Sequence, residues 1–142
     1  MRSLSLQETD ERIADLLQLL DLTAQADVVC ATYSFGMKRK LALAAALLHR
    51  PSVLLLDEPL NGLDPRSTHR LKQLFVELAN NGTSILLSTH DLATAEAVCH
   101  RVGILHHGRL IAEGKTLDLR AMVAVSNLEE VFLNLTEEQV VL

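Results

Sequence analysis

The 142-residue sequence contains no tryptophan, one tyrosine and three phenylalanines, and its net charge is −5. So few aromatics leave little on which unpaired bases could stack, and the acidic balance offers no basic stripe for phosphate backbones, which argues against a nucleic-acid surface built on basic patches and base stacking. The same balance argues against binding to a membrane surface by charge. The two cysteines, Cys30 and Cys99, lie far apart with no CxxC or metal-ligand spacing, which reads as small buried hydrophobes in a reducing compartment. The longest apolar run, Leu41–Leu48, has eight residues, far short of the roughly 20 that cross a bilayer. No basic-then-apolar export signal opens the chain, and a soluble, cytoplasmic protein is expected.

Also missing is the phosphate-cradling pattern G-x-x-x-x-G-K-[ST]. The nearest stretch, "GRLIAEGKT" from Gly108 to Thr116, has five residues between its glycines. It reads as part of a hairpin rather than as a loop between a strand and a following helix.

What is present is an apolar fraction of 49%, enough for one compact unit or part of one. Ile13, Leu16, Leu17 and Leu20 recur at helical spacing behind Thr9 as N-cap, with Asp10 and Glu11 in the first turn. A loop with Cys30 and Thr32 follows. Ser34 then caps a buried, Ala- and Leu-rich helix that runs to about His49 and is stopped by Pro51. Residues 52–56 and 83–88 are short and almost continuously apolar, the pattern of parallel strands covered on both faces. Between them Asp64 and Pro65 form an N-cap and N1 pair, Leu71, Leu74, Phe75 and Leu78 make one stripe, and residues 80–82 close the helix. Strand, helix, strand implies a right-handed parallel unit. A short helix from about Leu92, a hairpin turning at His106 to Gly108, and a last helix capped by Ser126 and Glu129 complete the chain.

Open parallel sheets bind ligands beyond the carboxyl ends of their strands. Asp57 and Glu58 stand at one such end, and Thr89, His90 and Asp91 at the other. Two carboxylates ~4 Å apart at an effective dielectric of ~20 repel by roughly 4 kcal/mol, so they need separation, a proton or a cation. Strand alternation separates them: Asp57 suits Mg²⁺ through its water shell, and Glu58 faces the place of an attacking water. Taken alone, one acid capping a turn and the other solvated is the competing reading. Lys38, Arg39 and Lys40 fall in the first helical turn behind Ser34, where the dipole disfavours cations by ~0.3–1 kcal/mol each. An anion at this N-terminus, approached through Gly36, would remove the conflict. A capped helix with a solvated basic patch describes the same residues.

At these residues the sequence resembles the nucleotide-binding subunit of ATP-binding cassette (ABC) transporters. "YSFGM", Tyr33 to Met37, is similar to the signature motif written LSGGQ; "VLLLDEP" resembles Walker B, "NGLD" the D-loop, and "STHD" the switch-histidine segment. The four stand in the family's order from Tyr33 to about Asp91, and "SNLEEVF" resembles the end of ABC-2 type exporter ATPases. Phe35 and Met37 depart from the common Gly and Gln of the signature.

The resemblance implies an α/β fold: the C-terminal part of a P-loop NTPase (RecA-like) core, with part of the helical signature subdomain in residues 1–50. Residues 51–142 would be the Walker B half with a C-terminal hairpin and helix. It implies ATP and Mg²⁺ as cofactors, with Ser34, Phe35, Gly36, Met37 and Asp64 facing ATP across a dimer interface. Asp57 would serve Mg²⁺, Glu58 would polarise the attacking water, and His90 would sense the γ-phosphate. The implied partners are a second nucleotide-binding subunit and transmembrane permease subunits, which would hold the chain at the inner face of the cell membrane, with no nucleic acid. The implied activity is ATP hydrolysis coupled to export, in a truncated or split form without Walker A. The alternative is a non-catalytic module docking on an intact cassette or its membrane subunit, and an ABC protein of translation or DNA repair, which has no membrane subunit, is a third possibility. "NGLDP" and the acidic balance argue against the translation type.

Overall fold

A computed structural model describes residues 5–137. The chain forms two compact units, Met1–Ser88 and Thr89–Leu142.

The first unit opens with helix α1, Leu6–Leu19, which starts earlier than the apolar spacing suggests. Its cap is Ser5, not Thr9: the Ser5 hydroxyl accepts from the Glu8 amide and the Glu8 carboxylate accepts from the Ser5 amide, a reciprocal capping box. Two 3₁₀ turns, Thr23–Gln25 and Cys30–Thr32, fill the expected loop. Cys30 is exposed there, so it is not the buried hydrophobe anticipated, while Cys99 is half-buried. Buried Tyr33 ties the loop down by donating its hydroxyl to the Gln25 carbonyl at 2.5 Å.

Helix α2, Phe35–Leu48, then packs along α1 through Leu43, Ala44 and Leu47, with one face covered rather than the whole circumference. The guanidinium of Arg12 reaches the Leu47 carbonyl at 3.4 Å, where cations suit the end of a helix. Strand β1, Val53–Asp57, leads to helix α3, Pro65–Asn80, and strand β2, Ser84–Ser88. The strands pair in parallel, Val53 opposite Ser84 and Asp57 opposite Ser88. Leu54 from β1 and Leu71, Leu74 and Phe75 from α3 join α1 and α2 in one core.

The strands' continuous apolar pattern suggested cover on both faces. Within this unit only one face is covered: Val53 is 59%, Leu55 71% and Leu86 69% exposed. A parallel sheet normally has layers on both sides.

The second unit begins with helix α4, Leu92–Val98, capped by Asp91. Strands β3, Val102–His106, and β4, Arg109–Gly114, form the expected hairpin, with left-handed His107 and Gly108 at its turn. β4 runs directly into helix α5, Thr116–Met122, which the sequence reading did not anticipate. The near-miss glycine stretch therefore does end at a helix, but the residues between its glycines are strand, not a phosphate-cradling loop. Helix α6, Leu128–Glu137, is capped by Asn127, whose side-chain oxygen accepts from the Glu130 amide at 2.9 Å. The Ser126 and Glu129 pair expected there is replaced by Ser126 and Glu130. Leu128 and Val131 join Ile104 and Leu119 in a separate core, and Arg120 links Glu96 at 2.7 Å to the Ser126 carbonyl at 2.9 Å.

Two caps carry a pH prediction. The Ser67 hydroxyl and amide hold the Asp64 carboxyl below its ordinary value of 3.8, and the Ser5 amide and hydroxyl hold Glu8 below 4.5. A depressed folded value contributes stability that is present above the ordinary value and is lost as pH falls through the folded one. The first turns of α1 and α3 should therefore loosen below those two ordinary values, visible as an acid shift of the Ser5 and Ser67 amide resonances. Asp64→Asn should abolish the Ser67 transition; an unchanged titration in that variant would contradict the assignment.

Candidate functional site

The first turn of α2 and the segment from Glu58 to Asp64 lie against each other, and both are held by specific contacts. Ser34 is the N-cap of α2, its hydroxyl oxygen accepting from the Met37 amide at 3.2 Å. That oxygen is already an acceptor, while the hydroxyl proton can still be donated outward; Ser34 is exposed. Met37 turns its side chain onto the core instead of the surface. Phe35 is 62% exposed and lies beneath the Arg39 guanidinium, whose carbon is 4.9 Å from the ring centroid.

Gly36 comes close to the D-loop-like segment: a Cβ there would stand 3.4 Å from the Leu63 side chain and 3.5 Å from the Gly62 carbonyl. Gly62 has φ +75°, and a Cβ on it would meet two Phe35 ring carbons at 2.9 Å. Both backbone conformation and space require glycine at 62. Asp64 closes the segment as N-cap of α3, accepting from the Ser67 amide at 2.9 Å and from its hydroxyl at 2.6 Å. The capping role read from the sequence is thus the one its carboxylate performs within this chain.

At the end of β1 the two acids differ in backbone conformation. Asp57 stays in the strand on the same face as exposed Val53 and Leu55, and accepts a short hydrogen bond from the Ser88 hydroxyl on the neighbouring strand. Glu58 leaves the strand with φ +46°, a left-handed conformation rare for a residue with a side chain. Its amide donates to the Ser88 carbonyl at 3.1 Å, and its carbonyl accepts from the Asn61 amide at 3.2 Å and from Arg39.

Asp57 and the Ser88 hydroxyl present hard oxygen ligands. Mg²⁺ takes one or two carboxylates and fills its remaining positions with water and phosphate oxygens, so this donor set fits Mg²⁺ held through Asp57. Among the described residues no group of three or more His, Cys, Asp or Glu forms an all-protein cage.

His90 belongs to the second unit, two residues beyond the last residue of β2, and is exposed. Asp91 is committed to capping α4, accepting from the Thr94 amide at 3.0 Å and from its hydroxyl. The first unit therefore carries Ser34, Phe35, Gly36, Met37, Asp57, Glu58 and Asp64, and the second carries His90.

Ser88 is a partner of the site that was not singled out in the sequence. Arg39 reads there only as one of three first-turn cations in conflict with the dipole, without its acceptor. That acceptor is the Glu58 carbonyl and not a solvated surface.

Comparison with known proteins gives a consistent picture. Residues 5–96 match the family described as "AAA domain, putative AbiEii toxin, Type IV TA system". The chain is 43% identical over 116 residues to a Nod factor export ATP-binding protein I of Neorhizobium galegae, covering 82% of this chain and 33% of that protein. It is 34% identical over 134 residues to the linearmycin resistance ATP-binding protein LnrL of Bacillus subtilis (strain 168), covering 89% and 43%. With the daunorubicin/doxorubicin resistance ATP-binding protein DrrA of Streptomyces peucetius the identity is 40% over 111 residues, covering 78% and 34%. A solved structure of an ATP-binding subunit of an ABC transporter superposes with a TM-score of 0.86 at 38% identity, covering 94% of this chain and 57% of that one. The chain thus spans between 33% and 43% of the length of these three curated relatives. Among the described residues no helix is long and apolar enough to cross a membrane.

Proposed function

The chain belongs to the AAA-domain family it matches and is similar to ATP-binding proteins of ABC transporters, and from that premise we propose that it is the signature-bearing and Walker B part of an exporter ATPase. In this reading it works on MgATP whose phosphates are cradled by a P-loop outside this chain. Ser34, Phe35, Gly36, Met37 and Asp64 face ATP on an opposing subunit, Asp57 holds Mg²⁺, Glu58 orients the attacking water, and His90 senses the γ-phosphate. Residues 1–50 act as part of the helical subdomain and residues 51–142 as the Walker B half of the core. The working assembly is a pair of nucleotide-binding subunits on transmembrane permease subunits at the cytoplasmic face, with no nucleic acid. Magnesium, when bound, neutralises charge on the phosphates; the protein's own part is to hold Asp57 on β1 and to turn Glu58 out of the strand.

The observation that supports this reading is the packing of α2's first turn on the Glu58 to Asp64 segment; seven of the eight candidate residues, all but His90, lie in the first unit. The bare sheet face supports a complementary partner. Burying Val53, Leu55 and Leu86 would contribute roughly 1.5–3 kcal/mol each, comparable with the ~4–15 kcal/mol cost of association. Backbone pairing along the sheet edges has to add to it.

The test is equilibrium binding of MgATP. The purified chain alone should show no micromolar affinity, and affinity should appear on adding a P-loop-bearing cassette. Micromolar binding by the chain alone would contradict the proposal. The bare sheet face also favours a second reading, a non-catalytic module that docks on a cassette and modulates it. In that case Glu58→Gln should leave its effect on the partner unchanged.

A further inference from the structure

Three cations crowd the first turn of α2, and Arg39, half-buried as Lys40 also is, has found two partners. Its guanidinium donates to the Glu58 carbonyl, and its flat face lies 4.9 Å from the Phe35 ring centroid. Phe35 and Arg39 are four residues apart and so share one face of the helix. A planar guanidinium can stack on a ring and donate from its edge at the same time; a lysine ammonium is a point charge that cannot do both.

The carbonyl it reaches belongs to the residue whose backbone needs holding. Glu58 sits at φ +46°, where a side chain is disfavoured and the conformation persists only if its surroundings over-determine it. Three hydrogen bonds do so: its amide to Ser88, and its carbonyl from Asn61 and from Arg39. The first two come from the adjoining strand and from the turn itself. Arg39 comes from another helix. At the other end of the segment, Phe35 presses on Gly62, so the same ring that carries the guanidinium also fixes the second left-handed residue of the turn.

We propose that Arg39 is a positioning residue for Glu58, holding its left-handed peptide from the first turn of α2, with Phe35 as the platform that keeps the guanidinium in place. The inference rests on the reading of Glu58 as the group that orients water. It couples two parts of that reading inside one chain: a shift of the signature turn, which faces the opposing subunit's nucleotide, is transmitted to the carboxylate serving the other. Phe35, a departure from the common glycine of the signature, acquires a use here that a glycine could not supply.

Amide hydrogen exchange of the whole chain tests the contact without reference to catalysis. Arg39→Met should raise exchange at Asn61 by about tenfold while core amides such as Leu74 and Phe75 stay within about twofold, the pattern of a local opening. Phe35→Leu should give a smaller rise of the same kind, and Arg39→Lys should recover only part of the protection. Unchanged Asn61 exchange, or an equal rise at every amide, would overturn the proposal.

The catalytic consequence is read in an assembly with a P-loop-bearing cassette. Arg39→Met should lower kcat about tenfold with KM within about twofold, and should add nothing to the loss caused by Glu58→Gln, as expected of groups acting as a unit. Additive losses, or a loss confined to KM, would show that Arg39 does not act through Glu58. If Glu58→Gln leaves turnover intact, the reading of the acid has failed, whereas the exchange data still decide whether Arg39 holds its peptide.

Discussion

Glu58→Gln is expected to lower ATP turnover by roughly 10²–10⁴-fold in an assembly of this chain with a P-loop-bearing cassette, the range for loss of a general base. The substitution keeps the side chain's length and shape. The left-handed peptide at φ +46° and its hydrogen bonds to Ser88 and Asn61 involve only backbone groups of residue 58 and survive the change. What disappears is the ability to take a proton. Folding and MgATP affinity should therefore stay close to wild type while kcat falls, a split that separates lost chemistry from lost structure. Phosphate release at saturating MgATP is the measurement, and retention of more than about half of wild-type turnover would exclude Glu58 from that role.

Phe75→Ala should have the largest effect on stability, about 3–5 kcal/mol. Phe75 is 2% exposed and lies in the core shared by α1, α2, α3 and β1. Few aromatics exist in this sequence to fill that volume, and the first unit's core is otherwise built largely from leucines that cannot lengthen to fill a ring-sized gap. Against total stabilities of about 5–15 kcal/mol for ordinary domains, the loss is a large fraction. Chemical denaturation of the chain should show a lower midpoint with an unchanged slope. A loss below about 1 kcal/mol would mean that the core collapses around the vacancy or that the ring is not packed as described.

Local chemistry was the most legible part of the sequence. Asp64 followed by Pro65 fixed the start of α3, the glycine at 108 marked the hairpin turn, and Ser34 was recognisable as a cap; each involves neighbours within a few residues. The Ser5 and Glu8 capping box was just as local and was passed over because Thr9 stands nearer the apolar stripe. Asn127 was missed in the same way, in favour of the serine beside it.

Long-range features were less accessible. A continuous apolar strand records that burial is possible on both faces, not that both covering layers occur in the same unit, and Val53, Leu55 and Leu86 are consequently bare here. Cys30 is exposed because the 3₁₀ turn that carries it has no buried residue. Helix α5 has seven residues and no side-chain cap bond, leaving little periodicity to read. The contact from Arg39 to Glu58 spans nineteen positions and goes to a backbone carbonyl, which no residue pattern encodes.

Of the site itself, the position of the two acids at the end of β1 was legible from the apolar run that precedes them, but strand alternation does not describe the pair, because β1 ends at Asp57. The left-handed turn at Glu58 was not legible, since glutamate is seldom chosen for that conformation.

The central proposal is that residues 1–142 supply the water-orienting acid for nucleotide held in a phosphate cradle outside these residues, such as that of a P-loop-bearing cassette. Mixing the two, each made on its own, and titrating one into the other while following phosphate release tests it most directly. Turnover absent from the chain alone and rising to a plateau at one chain per P-loop-bearing partner is the predicted result. Hydrolysis by the chain without a partner, or a plateau that does not depend on it, would contradict the account.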